Sequence, residues 1–81
     1  MNRAQSFEIF PNPVADVLNV QLQTKAGRLV IQVVDANGKV VLKKELVTDG
    51  ATLSTFINVQ SLQPGVYYIQ ANEEKRKFIK L

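Results

Sequence analysis

The sequence predicts an all-β fold, an antiparallel β-sandwich of about seven strands. Two observations carry this: apolar and polar residues alternate at period two, and turn signals recur at intervals of about ten residues. A third is the lack of any segment with apolar spacing near 3.6 residues and end caps, so no helix of useful length competes.

The elements follow in order. Phe7 to Phe10 reads as a short first strand. It stops at Pro11-Asn12-Pro13, because closely spaced prolines remove ladder donors and fix φ. Val17 to Gln23 places Leu18, Val20 and Leu22 on one face and Asn19, Gln21 and Gln23 on the other, a half-buried strand. Arg28 to Asp35 is apolar on both faces and belongs in the middle of its sheet. Asn37-Gly38 between two β-rich runs signals a hairpin with a type I′ turn, which needs φ > 0 at both central positions. Val40 to Leu46 then returns antiparallel, and Asp49-Gly50 marks the next turn. Leu53 to Val59 is the fifth strand, and Gln63-Pro64-Gly65 breaks the chain before Val66 to Ala71. Asn72-Glu73-Glu74 closes a last hairpin, and Lys77 to Leu81 is the seventh strand. Tyr67 and Tyr68 must face opposite ways, one into the core and one out. Tyr67, just after Pro64-Gly65, is placed like the tyrosine corner of immunoglobulin-like sandwiches, whose hydroxyl ties back to upstream backbone.

Eighty-one residues make one domain, since a fold this small buries only roughly 60% of its unfolded surface. With 46% hydrophobic and 21% charged residues the composition is that of a folding chain, not a disordered one. There is no cysteine, so packing alone must hold the fold; this also fits passage through an oxidising compartment. No run of about 18 apolar residues is present, which excludes a membrane-spanning helix. Met1 to Ser6 has no apolar stretch of the kind a signal peptide needs and reads as a linker remnant before a domain of residues 7–81.

Chemistry is sparse. With no histidine and no cysteine, the commonest general base, metal ligand and activated nucleophile are gone, and Ser6, Ser54 and Ser61 lack any Gly-x-Ser-x-Gly context. No catalytic residue, cofactor or metal site is expected. Asp16, Asp35 and Asp49 have oxygen ligands suited to calcium, but all three adjoin turns, where Asp bonds its own backbone. The net charge of +3 is a modest field. Lys75-Arg76-Lys77-Phe78, the one basic and aromatic patch, follows Glu73-Glu74 and reads as a solvated hairpin edge rather than a nucleic-acid site.

Four stretches together resemble the type A C-terminal sorting domain of the type IX secretion system of Bacteroidetes. They are Phe10-Pro11-Asn12-Pro13 with Asp16 and Val17-Leu18-Asn19-Val20; Ile31 to Val41 with its Asp35 and Gly38; Ile57-Asn58-Val59 with Leu62, Pro64, Gly65 and Tyr67; and the lysine-rich terminal strand ending at Leu81. The resemblance implies a non-enzymatic address at the end of a larger, N-terminally fused cargo. The cargo would enter the periplasm by its own signal. The domain would then be handled by outer-membrane translocon and shuttle components and cut off by a sortase-like cysteine peptidase, leaving the cargo at the cell surface or secreted. No membrane insertion and no nucleic acid enter this reading.

The surfaces expected to be read are the Pro11-Asn12-Pro13 bend, the Asn37-Gly38 hairpin, the Pro64-Gly65 turn with Tyr67, and the terminal residues Lys77, Phe78, Ile79, Lys80 and Leu81. Strand addition along the first or last strand is one mode. The competing class is an immunoglobulin-like adhesion or carbohydrate-binding module. The aromatics that a sugar face would need, Phe7, Phe10, Phe56, Tyr67 and Phe78, read instead as core or edge.

Overall fold

A computed structural model describes residues 7–81; the linker remnant assigned to residues 1–6 lies outside the described residues. Seven strands form: β1 (Phe7–Phe10), β2 (Val17–Thr24), β3 (Gly27–Asp35), β4 (Val40–Thr48), β5 (Ala51–Asn58), β6 (Gly65–Ala71) and β7 (Glu74–Lys80). They make a three-stranded sheet of order β1-β2-β5 and a four-stranded sheet of order β4-β3-β6-β7, with every ladder antiparallel. This is an immunoglobulin-like arrangement with the fourth strand moved beside the third, rather than beside the fifth as in the constant-type sandwich.

Alternation decides which side of each strand is buried. Leu18, Val20 and Leu22 of β2, Leu29, Ile31 and Val33 of β3, and Tyr67, Ile69 and Ala71 of β6 all face the space between the sheets. Phe78 of β7 closes the core with no exposed surface and stacks on Tyr67, ring centroids 5.7 Å apart. Burying a side chain of this size contributes about 1.5–3 kcal/mol, and the 14-residue core cluster supplies what cysteine does not. β3 sits between β4 and β6, as its two apolar faces required.

Two turns differ from expectation. The Asn37-Gly38 hairpin is not a type I′ turn, because only Gly38 has positive φ (87°). The Gly38 N–H donates to the Asp35 carbonyl (3.0 Å) and the Asp35 N–H to the Lys39 carbonyl (2.9 Å), a three-residue loop with glycine at its left-handed position. Asp35 selects it: its Oδ1 accepts from the N–H groups of Asn37 (2.9 Å) and Lys39 (3.0 Å). The register shift between Val33 and Val34 absorbs the odd residue. The last hairpin needs only Asn72-Glu73, because Asn72 adopts φ 56°, so Ala71 pairs with Glu74 and β7 begins at Glu74 rather than Lys77. It ends at Lys80, leaving Leu81 outside the strand.

Candidate recognition surface at one end of the sandwich

Because neighbouring strands run antiparallel and are joined by short links, alternate turns collect at alternate ends. The β1–β2, β3–β4 and β5–β6 links and the end of β7 share one end. Pro11, Asn12, Pro13, Asn37, Gly38, Pro64, Gly65 and Leu81 therefore gather there, although they span the whole chain. The opposite end carries the β2–β3 and β4–β5 links at 25–26 and 49–50, which cross from one sheet to the other, and the β6–β7 hairpin at 72–73. An open cleft of about 780 Å³ there is lined by residues including Lys25, Arg28, Glu73 and Glu74.

At the shared end the β1–β2 link clasps the last strand. The Asn12 side chain works as a strand residue would: Nδ2 donates to the Lys77 carbonyl (3.2 Å), and Oδ1 accepts from the Ile79 N–H (3.0 Å). Val14 continues the pairing. Its N–H donates to the Ile79 carbonyl (2.9 Å), its carbonyl accepts from the Leu81 N–H (2.9 Å), and it bridges Lys80 in parallel. Val14 is fully buried, which anchors the clasp to the core. The outward backbone of β7 is thus occupied from Lys77 to Leu81, and strand addition there would have to displace residues 12–14. Sequence reading missed Val14; its signal was a β-branched apolar residue, followed only by Ala15, between the Pro13 bend and Asp16.

The other side of the same end is held by Tyr67, whose hydroxyl donates to the Gln63 carbonyl at 2.6 Å, the tyrosine corner its position announced. Tyr67, Phe78 and Lys80 all point inward and are at most 9% exposed. In the folded domain their side chains lie beneath the surface rather than on it. The Lys80 ammonium donates to the Leu81 carbonyl at 2.8 Å. Lys77, Ile79 and Leu81 face out, Ile79 at 42% and Leu81 at 62% exposure.

Two cations close the lateral openings between the sheets, and neither role was legible in the sequence. Lys44 of β4 donates to the Phe56 carbonyl (2.7 Å) and Thr55 hydroxyl (2.9 Å) of β5 and lies 4.7 Å from the Phe56 ring centroid. Arg76 of β7 donates to the Phe7 carbonyl (3.2 Å) of β1 and lies 5.0 Å from the Phe7 ring centroid. Alternation therefore splits the run Lys75-Arg76-Lys77, turning Arg76 inward against Phe7 and its neighbours outward. Among the described residues no group of three or more His, Cys, Asp or Glu side chains is close enough to hold a metal ion. Asp35 is engaged in its own turn.

The chain matches the family model of the secretion system C-terminal sorting domain over residues 8–81. It belongs to that family. Sorting domains of this type IX family imply a cargo fused N-terminally, handling by the secretion machinery, and export to the surface or medium; the family is not one of enzymes. No curated protein matches the chain.

Proposed function

We propose that this sorting domain is read by the type IX machinery at the shared end described above, and that it carries its cargo from the periplasm through the outer-membrane pore before a sortase-like cysteine peptidase cuts in the linker preceding Phe7. The observation that supports this is convergence: the stretches at Pro11–Pro13, Asn37-Gly38, Pro64-Gly65 and Leu81 lie at one end of the sandwich despite being far apart in sequence. A recognition module needs a rigid scaffold presenting turns and no chemistry of its own. Since the clasp covers β7 from Lys77 to Leu81, reading takes place through turn backbone and outward side chains rather than by pairing with that edge.

The test is residues 7–81 fused behind a periplasm-targeted fluorescent reporter in a type IX-competent bacterium, compared with a translocon mutant. Export that requires the working translocon is expected. Periplasmic retention in both strains would overturn the reading. The carbohydrate-binding alternative has one observation in its favour. Phe10 (43% exposed) and Phe56 (55%) lie in one row with Asn19 on the outer face of the three-stranded sheet. Glycan-array binding, together with export unaffected by deleting the domain, would select it.

A further inference from the structure

The two outer faces of the sandwich differ in charge. On the three-stranded sheet the outward residues are uncharged apart from Glu8: Asn19, Gln21 and Gln23 of β2, and Thr52, Ser54 and Asn58 of β5, beside Phe10, Val17 and Phe56. On the four-stranded sheet they include Arg28, Lys43, Lys75 and Lys77 against a single acid, Glu45. Glu45 is consumed within the face, by Arg28 at 2.7 Å and Lys43 at 3.5 Å. Lys75 and Lys77 make no ion pair among the described residues. The other acids lie elsewhere, Asp16 and Asp35 in turns of the shared end, Asp49, Glu73 and Glu74 at the opposite end.

The register arranges this face in rows. One reads Lys43, Gln32, Gln70, Lys75 across the sheet; the next, nearer the shared end, reads Val40, Val34, Tyr68, Lys77; beyond it Val66 pairs with Ile79. The last two rows form an apolar patch, with Val40, Val66 and Ile79 at 45%, 38% and 42% exposure around Tyr68. Lys75 lies 5.6 Å from the Tyr68 ring centroid. An apolar, aromatic centre with a charged rim is the anatomy of a protein interface, and tyrosine is enriched at the residues that dominate such interfaces. A face that only kept the domain in solution would not place its exposed valines and isoleucine together beside unpaired lysines.

We propose that the outer face of the four-stranded sheet, centred on Tyr68 and rimmed by Lys75 and Lys77, docks an acidic protein surface: an apolar patch bordered by carboxylates. The partner's chemistry follows from complementarity, with carboxylates meeting the two unpaired ammonium groups and apolar side chains covering Tyr68, Val66 and Ile79. The inference rests on the sorting reading above, because the docked partner is a component of the export route.

The reporter fusion tests it with three variants, each melted as a purified domain so that only those folding like wild type are compared. Lys75→Glu with Lys77→Glu reverses the rim, Ile79→Ser makes the centre polar, and Gln21→Glu with Ser54→Glu adds two negative charges to the opposite face. Export is expected to fall at least about tenfold for the first two and to stay at wild-type level for the third. A wild-type fusion that fails to export sinks the sorting reading itself. Wild-type export with all three variants unaffected overturns the docking face and leaves sorting intact. An effect of the lysine pair without any effect of Ile79→Ser, accompanied by lysine-dependent heparin binding at physiological salt, also overturns it, since that pattern belongs to a polyanion rather than a protein surface.

Discussion

Replacing Asn12 tests whether the clasp is held by its amide or merely lies beside β7. Asn12→Ala removes both bonds, leaving the Lys77 carbonyl and the Ile79 N–H without their partner. Each such bond contributes about 0.5–1.5 kcal/mol net. The site is exposed, so water re-solvates both groups and the loss sits at the low end, about 1 kcal/mol in total. For a domain of 81 residues that lowers Tm by roughly 4–8 °C. Asn12→Asp keeps the acceptor for Ile79 but sets a carboxylate against the Lys77 carbonyl, so its stability falls between the two. Hydrogen exchange supplies the sharper readout. In Asn12→Ala the Ile79 amide loses protection, in Asn12→Asp it keeps it, and the Leu81 amide stays protected in both, because its acceptor is the backbone of the buried Val14. Unchanged protection at Ile79 in Asn12→Ala would refute the argument and reduce the side chain to a bystander.

Other perturbations follow from the same contacts. Tyr67→Phe removes the bond to the Gln63 carbonyl and should cost about 1 kcal/mol, read as a lower urea midpoint at unchanged slope; a neutral result would mean the corner is held by ring packing alone. Phe78→Ala opens a cavity in the fully buried stack under Tyr67 and should cost about 3–5 kcal/mol by denaturant titration. Gly38→Ala meets no atom within 4 Å but must hold φ 87°, so a loss of about 1–2 kcal/mol measures backbone strain alone, and no loss would show that the turn has changed type. The Arg28 guanidinium, and then the Lys43 charge, hold the Glu45 carboxyl below the usual carboxylate range. Its folded pKa therefore lies below the unfolded one, and its stabilising effect is present above the unfolded pKa and fades as pH falls through the folded value. The stability gap between wild type and Glu45→Gln should accordingly close on acidification and shrink with salt, and a gap constant with pH would contradict this.

Strand identity was readable because it rests on local physics. Period-two burial placed Leu18, Val20 and Leu22 inward, glycine and proline punctuated the links, and the central position of β3 followed from its two apolar faces. The tyrosine corner was readable too, since it needs only a tyrosine at a sixth-strand start and a carbonyl four residues upstream. The Asn37-Gly38 turn was misassigned in type because the dipeptide rule omits Asp35, whose carboxylate favours the three-residue loop by accepting two backbone N–H groups. The clasp, the two lateral cations and the charged face were not readable, because each joins groups distant in the chain. Asn12 meets Lys77 and Ile79, Arg76 meets Phe7, and Lys43 shares a row with Lys75 only through the β3 and β6 registers between them. By itself the sequence determined the strands, their inward faces and the absence of histidine and cysteine, all of which are set residue by residue. Tertiary structure alone decided which turns share an end, which lysines point outward and which edge is closed, because those depend on how the two sheets pair and stack.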